Sequence, residues 1–194
     1  QVFNSNFVFS DKDGDFAEGW QICRGRRTAK FSWENGKHNK YIKIINRFHK
    51  NPASIIQERP YAIGIYEKQV WEVGAILKAD RRLPAIIKVH YITCSSCRVL
   101  SKSLVFKLEE KSAFYHGTVT VPAGADYALI EIGTLEAGTL YIENVLCRRV
   151  FPIDKYDMDA QGRLNINSVQ SLQRIIEPVN VKGTFNLVRQ TKDF

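Results

Sequence analysis

VWEVGAILKADRRLPAIIKVHYIT, residues 70–93, decides the fold. Its two apolar runs, 70–79 and 85–93, are rich in Val and Ile and are parted by a charged, proline-bearing break. Neither sustains the 3.6-residue apolar period of a helix, and β-branched side chains pack well on a pleated surface. Both runs read as strands. The same texture extends in both directions. Upstream lie an alternating Phe3–Phe9 and then WQICR, TAKFSW, YIKIINRF and ASIIQE; downstream come VLSKSLVFKL, YHGTVTVPA, YALIEIG and TLYIENVLCRRV. About ten short strands, with turn signals roughly every 8 to 15 residues, predict an all-β antiparallel sandwich or barrel. SVQSLQRII (168–176) is the one stretch with a helical look, and its neighbours argue for strand.

Composition changes after Val150. Residues 151–194 lack cysteine and tryptophan and are punctuated at Gln161-Gly162, Glu177-Pro178 and Lys182-Gly183. Between these breaks Leu164 and Ile166, then Val179, Val181, Phe185 and Leu187, alternate as strands with one apolar side. A ribbon of two or three such strands buries too little area to stand alone, so it is expected to be an arm covered by the sandwich or by another copy of the chain. The expected division is therefore 1–150 and 151–194.

Of the net charge of +8, residues 1–150 carry +7, from 22 Lys/Arg against 15 Asp/Glu. Arg24, Arg26 and Arg27 are the densest basic cluster. This balance fits a solvated basic face or an acidic partner such as an anionic polysaccharide. No RNA-binding signature or helix-turn-helix is present, which disfavours nucleic acid. No apolar run approaches the roughly 18 residues of a membrane span. The chain opens at Gln1 without a signal-peptide pattern, as expected of a processed, mature protein.

SDKDGDFAEGW (10–20) begins like a calcium loop, with Asp11, Asp13 and Asp15 at alternate positions. An EF-hand needs Gly at position 6 and Glu at position 12; here those positions are Phe16 and Ile22. A solvated turn and a cation site of another kind both remain open. Cys94 and Cys97 stand two residues apart in HYITCSSCRVL, which reads as a turn between strands. A short-loop disulfide, free thiols or a metal would each satisfy that spacing, although a zinc site wants a second ligand pair. His38, His49, His90 and His116 fall on scattered segments with no evident carboxylate beside them, and Glu109 and Glu110, adjacent on a strand, point to opposite faces. No hydrolase, metalloprotease or phosphate-loop motif occurs, and no enzyme is expected.

Several pieces in order resemble the carbohydrate-binding modules of the four/nine type, among the galactose-binding-like jelly rolls. These are Asn4-Ser5-Asn6-Phe7, then Gly19-Trp20, SIIQE (54–58), EKQVWEVGAILKA, TVTVPAGADYALIEIG (118–133) and Glu143-Asn144-Val145 in the closing strand. The resemblance covers about residues 3–150 and implies a jelly-roll β-sandwich. It also implies a structural calcium between the opening strand, its neighbouring loop and the closing strand. Glu143 matches that pattern and Asp11, Asp13 or Asp15 would substitute; Asn6 and Val8 occupy positions where acidic ligands are usual. For a glycan the resemblance asks for exposed aromatic platforms: Trp33, Tyr61 and Tyr66 are the residues selected, from a set that also holds Tyr41 and Trp71, while Trp20 and Trp71 are expected in the core. The 151–194 segment, through VQSLQRIIEP, is similar to a tail of unknown function on surface and spore-associated proteins of spore-forming bacteria. Together these readings lead to a non-enzymatic extracellular subunit of a cell- or spore-surface fibre or coat, assembled from copies of itself through β-arms. The alternative is a monomeric carbohydrate-binding module recognising a cell-wall or environmental polysaccharide.

Overall fold

The computed structural model describes residues 2, 4–36, 40–93 and 99–150 of the protein. Contacts divide the chain into two units, Gln1–Val150 and Phe151–Phe194. In the first, the strands are β1 (Trp20–Arg24), β2 (Ala29–Asn35), β3 (Lys40–Asn46), β4 (Ala53–Gln57), β5 (Ile63–Gly64), β6 (Val70–Ala79), β7 (Leu83–Ile92), β8 (Val99–Leu108), β9 (Ala113–Thr120), β10 (Tyr127–Thr134) and β11 (Gly138–Val150). Among the described residues the only helical element is a 3-10 turn at Arg59–Tyr61. The strands form two antiparallel sheets. The first has the order β1-β4-β10-β7-β8, with β5 added beside β10; the second has the order β2-β3-β11-β6-β9. This is the jelly-roll β-sandwich. Residues 70–93 supply β6 to the second sheet and β7 to the first, so the opening stretch spans both layers.

Alternation sets the layers. Along β7, Leu83, Ala85, Ile87, Val89 and Tyr91 are buried while the residues between them are half-exposed. Successive side chains on a strand point to opposite faces, so one face meets the core and the other is the outer surface. Ile130 and Ile132 of β10 meet Ile42 and Ile44 of β3 and Leu140 and Ile142 of β11 in one continuous core. Each of these fully buried aliphatic side chains contributes about 2 kcal/mol.

Two local devices hold the first sheet. Strand β4 pairs with β10 over Glu131–Thr134 and β5 pairs with it over Tyr127–Ala128. In the gap, the buried Gln57 side chain accepts a hydrogen bond from the Ile130 N–H at 3.3 Å, standing in for the missing strand. Gly133 is the second device: a Cβ there would lie 2.3 Å from the Ala53 carbonyl oxygen, so only glycine lets β4 approach.

The opening segment departs from the strand expected over Phe3–Phe9. Residues 4–9 form turns, with left-handed backbone at Asn4 (φ 47°) and Phe7 (φ 57°). The Asn4 side chain causes this. Its amide donates to the Phe9 and Glu18 carbonyls at 2.8 and 2.9 Å, and its oxygen accepts from Phe9 N–H at 3.0 Å. A side chain that satisfies the local backbone replaces the strand ladder. Glu109 and Glu110 also differ from expectation, because β8 ends at Leu108 and both lie in the turn that follows.

Candidate functional site

Glu131 occupies an outward position on β10, yet it is 2% exposed. A lone carboxylate could not stay charged at that depth without partners. It has three. Oε1 accepts from the Ser54 hydroxyl at 2.7 Å and forms an ion pair with Arg24 Nε at 3.2 Å, and Oε2 faces His90 Nε2 at 2.6 Å. Burial raises its pKa, but the hydrogen bonds from His90 and Ser54 and the charge of Arg24 outweigh that and hold it at about 2. An ionised carboxylate only accepts, so Nε2 of His90 carries the proton in this contact.

The partners come from separate strands. Arg24 ends β1, where a bulge between Ile22 and Arg24 places it opposite Ser54 of β4. His90 and Lys88 stand outward on β7, paired with Leu129 and Glu131. Arg24 pairs with Glu131 through Nε, and its side chain is 49% exposed. The result is a half-exposed guanidinium tied to the outer face of the first sheet. Cys23, a free and exposed thiol beside this cluster, has its pKa raised by burial and by the Glu131 charge.

Tyr127 lies four residues before Glu131, so it shares the outer face about 13 Å away. It is 43% exposed, and Tyr66, 75% exposed, stands across a depression of about 420 Å³. Gly64, Ile65, Glu67, Gly124, Ala125 and Asp126 complete the lining. A Cβ at Gly64 or Gly124 would meet nothing within 4 Å, so both glycines open onto free space. The two loops are fixed by Ile65 N–H to Asp126 O at 3.0 Å and by Asp126 N–H to Ile92 O at 3.0 Å. Gln69 anchors the Tyr66 turn, its Oε1 accepting from Tyr66 N at 3.2 Å and Trp71 Nε1 at 3.0 Å. Aromatic plates at one end and fixed polar groups at the centre are the features that grip a sugar ring by its apolar face and its hydroxyls.

Of the expected glycan residues, Tyr66 belongs to this depression. Trp33 packs against the core, with Nε1 donating to Phe7 O at 2.8 Å and Lys40 Nζ 3.7 Å from the ring centre. Tyr61 sits on the 3-10 turn and donates to Glu18 Oε1 at 2.9 Å. Asp11, Asp13 and Asp15 form a turn in which Asp11 Oδ1 accepts from Asp15 N–H at 3.0 Å, whereas Glu143 accepts from Ser112 at 3.4 Å. Among the described residues no three His, Cys, Asp or Glu side chains gather around a metal position. Cys94, Cys97 and the arm residues Leu164, Ile166, Val179, Val181, Phe185 and Leu187 lie outside the described residues.

The histidines correct the expectation that none has a carboxylate beside it. His90 meets Glu131, and His116 Nδ1 meets Glu72 Oε1 at 2.7 Å. Both pairs join residues far apart in the chain, which is why spacing did not reveal them. One signal was present: Glu131 is a lone charge inside the apolar run YALIEIG, and a charge there needs a partner.

No protein-family model matches the chain, and no curated protein matches it in sequence. Solved structures do. A family 4 carbohydrate-binding module is 18% identical with a TM-score of 0.53, over 77% of this chain and 100% of that one. The family 11 module of the cellulosomal cellulase Lic26A-Cel5E of Clostridium thermocellum is 7% identical with a TM-score of 0.55, over 78% of this chain and 95% of that one. The enzymatically active domain of tailspike protein 4 from bacteriophage CBA120 is 15% identical with a TM-score of 0.57, over 75% of this chain; the chain spans 22% of its length. The fold is that of the carbohydrate-binding-module jelly rolls.

Proposed function

We propose that residues 1–150 are a non-catalytic polysaccharide-binding module, acting outside the cell, that lays a glycan along the outer face of the first sheet. Tyr127 and Tyr66 stack on sugar rings, and Arg24, His90 and Lys88 bond to hydroxyl or acidic groups. The observation that carries this reading is the Arg24–Glu131–His90 cluster, tied in place before any ligand arrives and continuous along β10 with the Tyr127 depression. Preorganised groups lose little freedom on binding. Glu131 does not serve as a general acid, because a carboxyl held at about 2 has no proton to give near neutral pH. The test is affinity electrophoresis in gels cast with mixed-linked β-glucan, xylan or polygalacturonate. Tyr127→Ala and Arg24→Ala should each weaken binding to the retarding polymer about tenfold. Unretarded migration of the native protein through every polymer would sink the reading.

A second reading concerns assembly. Among the described residues strand β8 is an outermost strand of its sheet, and an unpaired strand edge is a template for an added strand. Under this reading the arm, through Val179, Val181 and Phe185, adds to that edge of another copy and builds a surface fibre or coat. Removing 151–194 should leave a folded protein that no longer forms large species by light scattering. Equal particle size with and without the arm would exclude it.

A further inference from the structure

The outer face of the second sheet carries a cluster that the proposed module does not use. Glu72 of β6 bridges His116 of β9, Nδ1 to Oε1 at 2.7 Å, and Arg148 of β11, Nε to Oε2 at 2.6 Å. Both carboxylate oxygens are engaged, and the Glu72 side chain is 12% exposed while Arg148 is 46% exposed. The Arg148 bond to Glu72 is made through Nε, and the terminal amino groups of a half-exposed guanidinium can receive a carboxylate in a bidentate manner.

An aromatic plate lies beside this guanidinium. Phe114, 44% exposed, stacks on His116 with ring centres 4.8 Å apart and an interplanar angle of 14°. The plate rests on bare backbone at Gly74, where a Cβ would lie 2.6 Å from His116 Cβ and 2.8 Å from Phe114 Cζ. Its orientation is therefore set by the sheet.

Further along the face, Tyr41 and Tyr141 meet edge to face at 5.7 Å, with Lys43 and Lys78 Nζ 5.7 and 5.6 Å from the Tyr141 ring. Outward positions of β6 from Glu72 to Lys78 span about 20 Å. The acids near this track include Glu72, Glu34 and Glu143, and Asp80, which accepts from Thr139 N–H at 3.0 Å. Glu72 is tucked beneath its partners, Glu34 accepts from Ser32 at 2.6 Å and Tyr41 at 2.7 Å and pairs with Lys43 Nζ at 3.5 Å, and Glu143 faces Ser112. Arg148 and Lys78 thus carry the positive charge that the track presents.

The geometry points to a second glycan site on this face, for an extended polysaccharide bearing carboxylates: Arg148 takes a carboxylate, Phe114 underlies the sugar ring, and Lys78 meets a further acidic group. This site does not depend on the first-sheet reading, and with both sites occupied one molecule would join two polymer strands. The test uses the full chain in gels containing polygalacturonate, a uronate polymer, or its fully methyl-esterified, uncharged form. Phe114→Ala, which removes the ring stacked on His116, should weaken polygalacturonate binding about fivefold and Arg148→Gln about tenfold, with Arg24→Ala retaining this component. The methyl ester should show no such dependence. Thermal melts of each variant separate lost binding from lost folding. Unaltered polygalacturonate binding by both Phe114→Ala and Arg148→Gln overturns the inference, and so does a native protein that polygalacturonate does not retard. Loss in Arg24→Ala with retention in these two overturns it while supporting the first-sheet site.

Discussion

Glu131 and Glu72 sit on opposite outer faces of the sandwich, and each joins a histidine to the Nε of an arginine. They differ in depth. The carboxylate side chains are 3% and 12% exposed, and the histidines 16% and 50%. Glu131 also takes a third bond, from Ser54, because β4 approaches β10 closely at Gly133. Glu72 has an aromatic plate beside it instead. The same three residue types therefore make a locked structural pin on one face and a more open surface feature on the other. Burial decides which, because a charge removed from water depends on its partners far more than one that water still reaches.

Removing the buried charge should have the largest effect. Glu131→Gln leaves Arg24 and His90 without their anion and should cost about 4 kcal/mol in urea denaturation at pH 7. The pH dependence follows from the same bond. The folded carboxyl titrates at about 2 rather than at its ordinary 4.5, so its stabilisation is complete above pH 4.5 and is lost as pH falls toward 2. The gap between native protein and Glu131→Gln should close over that interval; a constant gap would mean the charge is not what stabilises the fold.

The glycines sharpen the comparison at intermediate size. Gly133→Ala drives a Cβ against the Ala53 carbonyl at 2.3 Å and should destabilise by about 3 kcal/mol, since two paired strands must part. At Gly74 the nearest atoms are the His116 Cβ at 2.6 Å and the Phe114 ring at 2.8 Å, with the Tyr115 carbonyl also at 2.8 Å. Gly74→Ala should cost about 2 kcal/mol and tilt the plate, measured as a lower melting temperature together with weaker polygalacturonate retention. The smallest effect belongs to Glu72→Gln, about 1 kcal/mol, because Arg148 and His116 regain water when released. Equal losses for Glu72→Gln and Glu131→Gln would break the distinction between the faces.

Much of the sandwich was legible because alternation is a local property. WQICR, YIKIINRF and ASIIQE carry their strand character in their own residues, and the structure places β1, β3 and β4 there. The opening strand was misjudged because Asn4 acts through contacts as distant as Glu18, which periodicity does not register. The aromatic residues show the same limit. Trp33 and Phe114 are both large rings on β-strands, yet Trp33 ends with its ring against the core and Phe114 with its ring on the outer face, 44% exposed. Only the face each residue takes distinguishes them, and that is set by register with neighbouring strands.

From the chain alone came the strand content, the basic excess of residues 1–150 and the change of character after Val150, since each depends only on which residues stand next to one another. Tertiary structure alone decided that Arg24, Ser54, His90 and Glu131 share one carboxylate, and that Glu72, His116 and Arg148 share another. Strand pairing joins residues up to 107 positions apart in the first of these groups and 76 in the second. Charge needs proximity in space, and antiparallel sheets create that proximity between segments that hold no trace of one another.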